Sequence, residues 1–297
     1  MFSLAYTLNS IDEYRRNLSV YGVDAFQFSS GNLVVNSRTV IFKQVTLTHR
    51  TVNRELVHYV NKLNDRLVIL IPCEKEVALV DGQYVGESQL FIRLPFETGV
   101  SKFPENFCAI HLEVSLQTLI ALFSKQTHKK LLQNLANLSI RQACEYDTAP
   151  FCALVRRIYN ESNNASEGYE SGLLEAQLLN ALRNFLLPFT EITIEKVNNT
   201  RKNAVFRALM FLSSQNHYHI TVSELSKKVY CSRRTLEYAF KETLACSPKK
   251  YLKVRKLHLV RAELVGDHTK SVKEVLSHLG ESNQSRFNNE YINFFGM

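Results

Sequence analysis

Polar side chains with a long reach fall on one face of a predicted helix in the last third of the chain. Residues 232–240 read Ser-Arg-Arg-Thr-Leu-Glu-Tyr-Ala-Phe, a pattern in which Leu236, Ala239 and Phe240 share one helical face. The residues off that face are Arg233, Arg234, Glu237, Tyr238 and Lys241. An arginine can donate two hydrogen bonds to guanine, and a glutamate can accept one from cytosine. The segment therefore has the chemistry to contact base edges and phosphates in the major groove of DNA.

A second segment, 51 residues further on, repeats this arrangement. Residues 283–291 read Asn-Gln-Ser-Arg-Phe-Asn-Asn-Glu-Tyr, so that Phe287 and Tyr291 align with Leu236 and Phe240. The polar residues off that apolar face are Gln284, Ser285, Arg286 and Asn289. Glutamine and asparagine form paired hydrogen bonds with adenine, and arginine does so with guanine. The second segment is thus another candidate for base recognition.

Each of these segments is preceded by a shorter helical pattern and a turn. Residues 221–229 read Thr-Val-Ser-Glu-Leu-Ser-Lys-Lys-Val, and residues 271–279 read Ser-Val-Lys-Glu-Val-Leu-Ser-His-Leu, at an offset of 50. The second turn therefore contains one extra residue. For either copy alone, a helical hairpin with a solvated face explains the pattern as well. Two copies in one basic segment predict two helix-turn-helix units.

The positive charge of the chain is concentrated around this repeat. The 297 residues have a formal net charge of +8. Residues 195–297 contain 18 Lys and Arg against 9 Asp and Glu, whereas residues 1–194 contain 18 against 19. A basic third beside a nearly neutral remainder indicates a phosphate-binding surface on the C-terminal part. The length suits two domains.

The sequence shows no signal for a membrane or for secretion. No stretch of about 18 apolar residues is present, and the N-terminus lacks the basic start and long apolar run of a signal peptide. We therefore expect a cytoplasmic protein that does not contact a membrane.

The cysteines and histidines form no recognisable site in the sequence. No Cys-x-x-Cys is present, and no cysteine pair lies near a histidine pair, which favours reduced cysteines used as small apolar side chains. Redox sensing by Cys144 and Cys152 is the alternative. His49, His58 and His111 are not clustered with a glutamate, as a metal site of the barrel type requires. We expect neither a metal nor a cofactor.

The first 115 residues contain the short apolar runs typical of β-strands. These runs are residues 67–72, 77–80, 83–85, 90–94 and 108–114. Asp81-Gly82 between two of them predicts a tight hairpin, and the spacing predicts a barrel or sandwich. Helical patterns follow, of which the strongest covers about 170–187 and ends at Pro188. These helices either cover the barrel only or also supply a dimer interface.

A linker and a long helix are predicted in the C-terminal part. Residues 188–202 are expected to join the two domains, and the chain is expected to be helical from residue 203. Ser247 as N-cap and Pro248 in the first turn start a long helix. Gly266 stops it.

The order of these motifs resembles the DNA-binding domain of the AraC family of bacterial transcription regulators. The residues that carry the resemblance are Ser232-Arg-Arg with Leu236 and Phe240-Lys, Ser247-Pro with Tyr251-Leu, Arg255 with Arg261-Ala and Leu264, and Phe294-Phe-Gly296. The resemblance covers about residues 203–296, a third of the chain. It implies seven helices, in which a long helix at about 248–265 joins two units. It also implies that the units read successive major-groove segments about one helical turn apart.

The resemblance also assigns the contacts to individual residues. It places base contacts on Arg234, Glu237 and Tyr238 in the first unit and on Gln284, Ser285, Arg286 and Asn289 in the second. Ser232, Arg233 and Lys241 are better placed for phosphates.

These observations together predict an α+β chain. A cupin-like β-barrel sensor domain with covering or dimerisation helices is expected at residues 1–187. An all-α DNA-binding domain is expected at residues 203–297, after the linker at 188–202. In that domain a long helix joins the two helix-turn-helix units.

The sequence departs from the family pattern in its turns and at its end. Tyr230 stands where glycine is usual, Glu281 follows Gly280 where phenylalanine is usual, and Leu276 replaces an alanine. The chain stops at Met297, whereas the family continues with a Pro-x-x-Tyr-Arg segment and a last short helix that braces the second unit.

The resemblance implies a sequence-specific regulator of transcription. It favours activation through RNA polymerase over repression. The other partners expected are double-stranded DNA, a second copy bound through helices of the first domain, and a small-molecule effector. Control by abundance alone, without an effector, is the alternative.

Two further function classes are weighed against this one. An adaptor that heterodimerises would follow if the shortened second unit read DNA poorly. An enzyme with an active site in the barrel would need an acid–base or metal constellation. The sequence offers neither, nor any nucleotide loop, nucleophile elbow or His-Glu-x-x-His motif, so no enzymatic activity is expected.

Overall fold

The computed structural model describes residues 1–296 apart from short internal segments. The segments left undescribed are 62–64, 74–76, 87–88, 138–147, 163–168, 193, 195–199, 215–217, 267–268, 280 and 282. The predictions made for Cys144 and Gly280 lie outside the described residues.

The first half of the chain forms two antiparallel β-sheets. The strands are β1 Phe2–Leu8, β2 Val23–Gln27, β3 Val35–Ile41, β4 Val45–Val52, β5 Leu56–Val60, β6 Arg66–Pro72, β7 Ala78–Val80, β8 Gln83–Val85, β9 Phe91–Arg93, β10 Gly99–Phe103 and β11 Cys108–Ser115. One sheet has the order β1-β3-β4-β11-β6-β9, and the other has the order β2-β5-β10-β7-β8.

The predicted β-rich first domain is present as two sheets, and it is not a closed barrel, because the edge strands of the two sheets do not pair with each other among the described residues. The two sheets instead share a cavity that is lined from both sides, for example by Thr48 and His111 from one sheet and by His58 and Ser101 from the other. The arrangement is therefore two sheets around a common interior. The predicted hairpin is present, with φ of +50° at Asp81 and +84° at Gly82, the left-handed values that a tight hairpin turn requires.

Helices cover the outer face of the six-stranded sheet. They are α2 Leu116–Ala121, α3 Lys125–Asn137, α4 Ala149–Ser162 and α5 Tyr169–Leu186, followed by a 3₁₀ turn over Leu187–Thr190. An earlier helix, α1 Ile11–Ser19, is capped by Ser10 and buries Tyr14 and Leu18. Leu178 and Leu182 of α5 are fully buried in the core shared with Leu47 and Ile69 of the sheet. The predicted apolar stripe over 170–187 thus packs onto the sheet.

Six helices are described in the C-terminal part. They are α6 Thr200–Ser214, α7 Val222–Lys228, α8 Arg233–Leu244, α9 Pro248–Gly266, α10 Val272–His278 and α11 Gln284–Phe295. The long helix predicted over 248–265 corresponds to α9. Among the described helices, none combines the length and the apolar character needed to cross a membrane.

The C-terminal helices pack directly onto the two sheets. The ring of Tyr251 on α9 lies 6.1 Å from that of Phe26 and 5.7 Å from that of Phe28. Nε2 of the fully buried His258 lies 3.0 Å from both the amide nitrogen and the carbonyl oxygen of Gln27. Burial lowers the pKa of His258 to about 3, so this contact uses a neutral imidazole at neutral pH.

Candidate nucleic-acid interface

The first helix-turn-helix unit consists of α7 and α8. The side chain of Thr221 accepts a hydrogen bond from the Glu224 amide, and the Glu224 carboxylate accepts one from the Thr221 amide. This capping box satisfies two of the free N–H groups at the start of α7. Leu225 and Val229 of α7 and Leu236, Ala239 and Phe240 of α8 are all buried. This apolar contact holds α8 against α7 and α6, so the predicted core face is correct.

The turn between α7 and α8 is tight. The amide of Cys231 donates to the carbonyl of Ser226 at 3.0 Å. Tyr230 has φ of +54°, a left-handed conformation that favours glycine. The side chain of Ser232 then caps α8 by accepting from the Thr235 amide at 3.0 Å. The conformation at Tyr230 explains why glycine is usual at this position.

Replacing Tyr230 by glycine is therefore expected to stabilise the protein by about 0.5–1 kcal/mol, because relief of the left-handed strain exceeds the entropy cost of a glycine. The side chain is 91% exposed, so its removal costs little packing. Urea unfolding of the Tyr230→Gly variant measures the change. The control is Tyr84→Gly, which removes an exposed tyrosine from strand β8 without a left-handed φ and should destabilise. A loss of stability in Tyr230→Gly would contradict the assignment of strain.

The outer face of α8 exposes all five predicted polar side chains. Arg233, Arg234, Glu237, Tyr238 and Lys241 line one shallow surface concavity and are called the first reading face. Nε of Arg233 lies 2.9 Å from the Glu237 carboxylate, and the guanidinium of Arg234 lies 5.6 Å from the centre of the Tyr238 ring. These contacts hold the side chains in an extended array beside one another.

The second unit, α10 and α11, repeats the local geometry of the first. Ser271 and Glu274 form the same reciprocal capping box as Thr221 and Glu224. The amide of Glu281 donates to the carbonyl of Leu276 at 2.9 Å, the counterpart of the Cys231–Ser226 bond. The two units therefore share this hydrogen bond, which in the second unit is made by Glu281 and Leu276.

Helix α11 presents the second set of predicted residues. Ser285, Arg286 and Asn289 are exposed and Gln284 is half-buried; these four are called the second reading face. Asn283 caps the helix by accepting from the Arg286 amide at 3.1 Å. On the opposite side, Phe287, Tyr291 and Phe295 are buried. Nε of Arg286 lies 3.3 Å from the Glu290 carboxylate, which also pairs with Lys253 of α9 at 3.0 Å.

Two lysines that the sequence reasoning did not select lie beside the second reading face. Lys249 and Lys253 of α9 are exposed and line a surface groove together with Arg286. The groove adds positive charge between the long helix and the second unit. Their i, i+4 spacing after Pro248 is the signal that places both on one side of α9.

A separate cavity of about 270 Å³ lies between the two sheets. Arg50, Arg66 and Arg93 line it, with Glu113 as the acidic side chain. Nη1 of Arg66 is 4.0 Å from the Glu113 carboxylate, while among the described residues Arg50 has no ion pair with a carboxylate. The cavity interior is therefore more basic than acidic.

Two of the histidines singled out in the sequence line this cavity. Burial and the charge of Arg50 lower the pKa of His58 to about 3, and burial holds the pKa of His111 well below its ordinary value. Both imidazoles are thus neutral at neutral pH. The hydroxyl oxygen of Tyr14 is 3.2 Å from Nε2 of His58. The cavity charge accordingly comes from the arginines.

One ion-pair network connects this cavity to the DNA-binding helices. Nη1 of Arg93 lies 3.5 Å from Oδ2 of Asp81, and Nζ of Lys202 on α6 lies 3.1 Å from the same oxygen. The other carboxylate oxygen accepts from the Val100 amide at 2.8 Å. A Cβ atom added at Gly82 would lie 3.5 Å from the carbonyl oxygen of Glu242 on α8. The β7–β8 hairpin therefore touches both α6 and α8.

Comparison with solved structures finds likenesses of low sequence identity. The AraC-like transcriptional activator CuxR is 10% identical with a TM-score of 0.47, over 88% of this chain and 96% of that chain. ToxT from Vibrio cholerae O395 is 8% identical with a TM-score of 0.31, over 100% and 94%. The nucleoside dehydratase Pac13 is 13% identical with a TM-score of 0.22, over 32% and 77%. A comparison with curated protein sequences finds no match.

A protein-family model described as a helix-turn-helix domain matches residues 225–297. The match starts inside α7 and extends through α8, the long helix α9 and the whole second unit. It covers both reading faces. The capped helices, the repeated backbone hydrogen bond and the exposed polar faces agree with this match. The C-terminal part of the chain, over residues 225–297, is therefore a helix-turn-helix domain.

Proposed function

We propose that this protein is a sequence-specific regulator of transcription that binds two successive major-groove segments of double-stranded DNA. The observation that carries the proposal is the duplication of one unit, with the same capping box, the same turn hydrogen bond and an exposed polar helix face. A buried apolar side fixes each helix, and the opposite side is left for base edges.

The residues of each face have different roles in this proposal. Arg234 and Arg286 are assigned to guanine, and Gln284 and Asn289 to adenine, because these side chains form paired hydrogen bonds with those bases. Glu237 accepts from cytosine. The remaining side chains, Ser232, Arg233, Tyr238, Lys241 and Ser285, contact phosphates or flanking base edges. Much of the affinity comes from phosphate contacts, so binding weakens as salt increases.

Selection of bound genomic DNA fragments at two salt concentrations tests the proposal. We expect a bipartite motif with half-sites about 10 base pairs apart, since the two units face successive turns of the duplex. Enrichment should be stronger at the lower salt concentration. A single short motif would contradict recognition by both units. No enrichment at either concentration would contradict DNA reading and would favour an adaptor that acts through protein contacts.

Activation through RNA polymerase and a homodimer are further parts of the proposal. Helix α5 supports the dimer, because Leu173 is half exposed on a helix whose opposite side is buried in the core. The resemblance to AraC regulators supports activation. Transcription in vitro with purified polymerase, with and without the protein, distinguishes activation from repression.

We also propose that the cavity between the sheets binds a small anionic effector. Three arginines line about 270 Å³ of interior space, and Arg50 has no carboxylate ion-pair partner among the described residues. Nε of Arg50 donates to the Ser37 hydroxyl at 3.1 Å, so a bound carboxylate or phosphate group would add the missing counter-charge. Binding in the cavity would then change the ion pairs of Arg93, Asp81 and Lys202, and through them the positions of α6 and α8. Anionic metabolites are the first ligands to test for a rise in Tm.

A further inference from the structure

Three side chains that the DNA-binding proposal does not use meet on the outer face of the six-stranded sheet. Strand β11 lies between β4 and β6. Ile110 pairs with His49 of β4, and Ala109 pairs with Pro72 of β6. The next residues, Cys108 and Cys73, are therefore opposite each other, and the Cys73 amide donates to the Cys108 carbonyl at 3.0 Å. Since side chains alternate along a strand, His49, Cys108 and Cys73 share one face.

The ligand atoms of these three residues are close enough for one ion. Sγ of Cys108 lies 3.1 Å from Nε2 of His49, and one ligand atom from each residue lies within 4.8 Å of the others. Thiolate and imidazole ligands at about 2.3 and 2.0 Å from a common ion are about 3.5–4 Å apart. Small side-chain movements would therefore complete a three-coordinate site.

The surroundings orient the ligands and leave an access route. The ring of Tyr159 on α4 stacks on His49, with ring centres 5.4 Å apart and an angle of 22° between the planes. The Arg156 guanidinium donates to the Pro72 carbonyl at 2.7 Å, next to Cys73. Cys108 is buried, whereas His49 and Cys73 are half-buried. A cation can therefore reach the group from solvent without unfolding the sheet.

The donor set selects a soft cation. Thiolate sulfur prefers Cu⁺ and Zn²⁺ over the hard cations Mg²⁺ and Ca²⁺. Two thiolates, one neutral imidazole and Cu⁺ have a total charge of −1, which the neighbouring Arg156 balances. Zn²⁺ in the same place would leave an uncompensated positive charge, and it prefers four ligands. Among the described residues the cluster supplies three.

We propose that His49, Cys73 and Cys108 form a binding site for a single thiophilic metal ion, with Cu⁺ as the preferred occupant. Each thiol that binds the ion releases its proton to solvent. The site rests on geometry, because the three ligand atoms already lie within 4.8 Å of one another on one face of the sheet.

Anaerobic titration of the reduced full-length protein with buffered Cu⁺, and separately with Zn²⁺, tests the site. We expect one tightly bound Cu⁺ per chain, weaker binding of Zn²⁺ and a higher Tm in the presence of copper. Cys73→Ser, Cys108→Ser and His49→Gln should each weaken binding by at least about tenfold, because outer-shell changes alone already cost that much at metal sites. Cys231→Ala removes a half-exposed thiol outside the cluster and should bind copper like the unmodified chain.

The result that overturns the proposal is independent of DNA binding. If the reduced protein does not bind one Cu⁺ per chain, the proposed metal site is wrong. Equal copper uptake by the Cys73→Ser variant and the unmodified chain would also contradict the site, provided that circular dichroism shows both proteins to be folded. Tighter binding of Zn²⁺ than of Cu⁺ would overturn the assignment of copper. Because Cys73 is half-buried, its serine variant should keep the fold even where Cys108→Ser does not.

Discussion

Replacing Arg234 by alanine is expected to weaken binding to the selected DNA site by about 1–3 kcal/mol, a roughly 5- to 150-fold increase in Kd. The reason is that its guanidinium is exposed on the first reading face, beside the Tyr238 ring and away from the buried core. A fluorescence-anisotropy titration with the selected site and with random DNA measures the two affinities. The loss on random DNA should be much smaller, because base contacts contribute only at the matching sequence.

The same experiment on the second unit tests whether both units bind. Arg286→Ala should also weaken binding to the selected site by about 1–3 kcal/mol. An unchanged affinity would show that the first unit binds alone. An equal loss on selected and random DNA, for either arginine, would make it a phosphate contact instead.

A matched control is available in the first domain. Arg157 is an exposed arginine with a helical i, i+4 ion pair to Glu161, as Arg233 has to Glu237, but it lies on α4 and belongs to neither reading face. Arg157→Ala should leave both affinities unchanged. A comparable loss in this variant would mean that the effect arises from net charge rather than from the position of the side chain.

The C-terminal domain could be predicted from the sequence because its signals are local. Helix caps such as Thr221 and Ser271, the i, i+3 and i, i+4 apolar spacing and the serine–proline start of α9 lie within a few residues of the structure they specify. The helix predicted over 248–265 is observed at Pro248–Gly266. Nine of the ten predicted contact residues lie on the two helices, and the tenth, Ser232, is the N-cap of α8. Their contacts with DNA remain a prediction.

The first domain was predicted less well because its pairing is not local. The run over 67–72 and the Asp81-Gly82 turn are local features, and both correspond to observed elements. The insertion of β11 between β4 and β6 depends on contacts between distant segments. That pairing sets the strand order of the six-stranded sheet, which local spacing does not specify. It also brings His49, Cys73 and Cys108 together, which no spacing in the sequence indicates.

The redox alternative for Cys152 receives no support from its surroundings. Cys152 lies on the buried side of α4, and burial raises the pKa of its thiol to about 11. A protonated, buried thiol reacts slowly with oxidants. Contacts between the domains were likewise missed, since His258 meets Gln27 across 231 positions of sequence.

The ion pairs of Asp81 are expected to give the largest effect on stability. The side chains of Asp81 and Arg93 are 6% and 8% exposed, and Lys202 reaches the same carboxylate from the C-terminal domain. A Cβ atom at Gly99 would lie 1.5 Å from Nη1 of Arg93, so the glycine allows the guanidinium to lie against β10. Two cations thus converge on one carboxylate.

Asp81→Asn should therefore reduce the free energy of unfolding by about 3 kcal/mol, because it leaves Arg93 buried without its counter-charge. Asparagine has the same size and tolerates the left-handed φ of +50° at this position, so the backbone of the hairpin is preserved. The matched control is Asp24→Asn, which breaks the more exposed Arg15–Asp24 pair within the first domain. It should cost at most about 1 kcal/mol.

A double-mutant cycle with Lys202→Met then measures how much of this effect couples the two domains. Residues joined in one ion-pair network are expected to show a coupling free energy of about 0.5–3 kcal/mol. A value near zero would mean that Asp81 stabilises only the first domain through Arg93. If the coupling is present, Asp81→Asn should also change DNA affinity, because the hairpin it holds lies against the end of α8. If stability falls but DNA affinity is unchanged, the cavity and the DNA-binding helices are not coupled through Asp81. That result would contradict a ligand-gated switch.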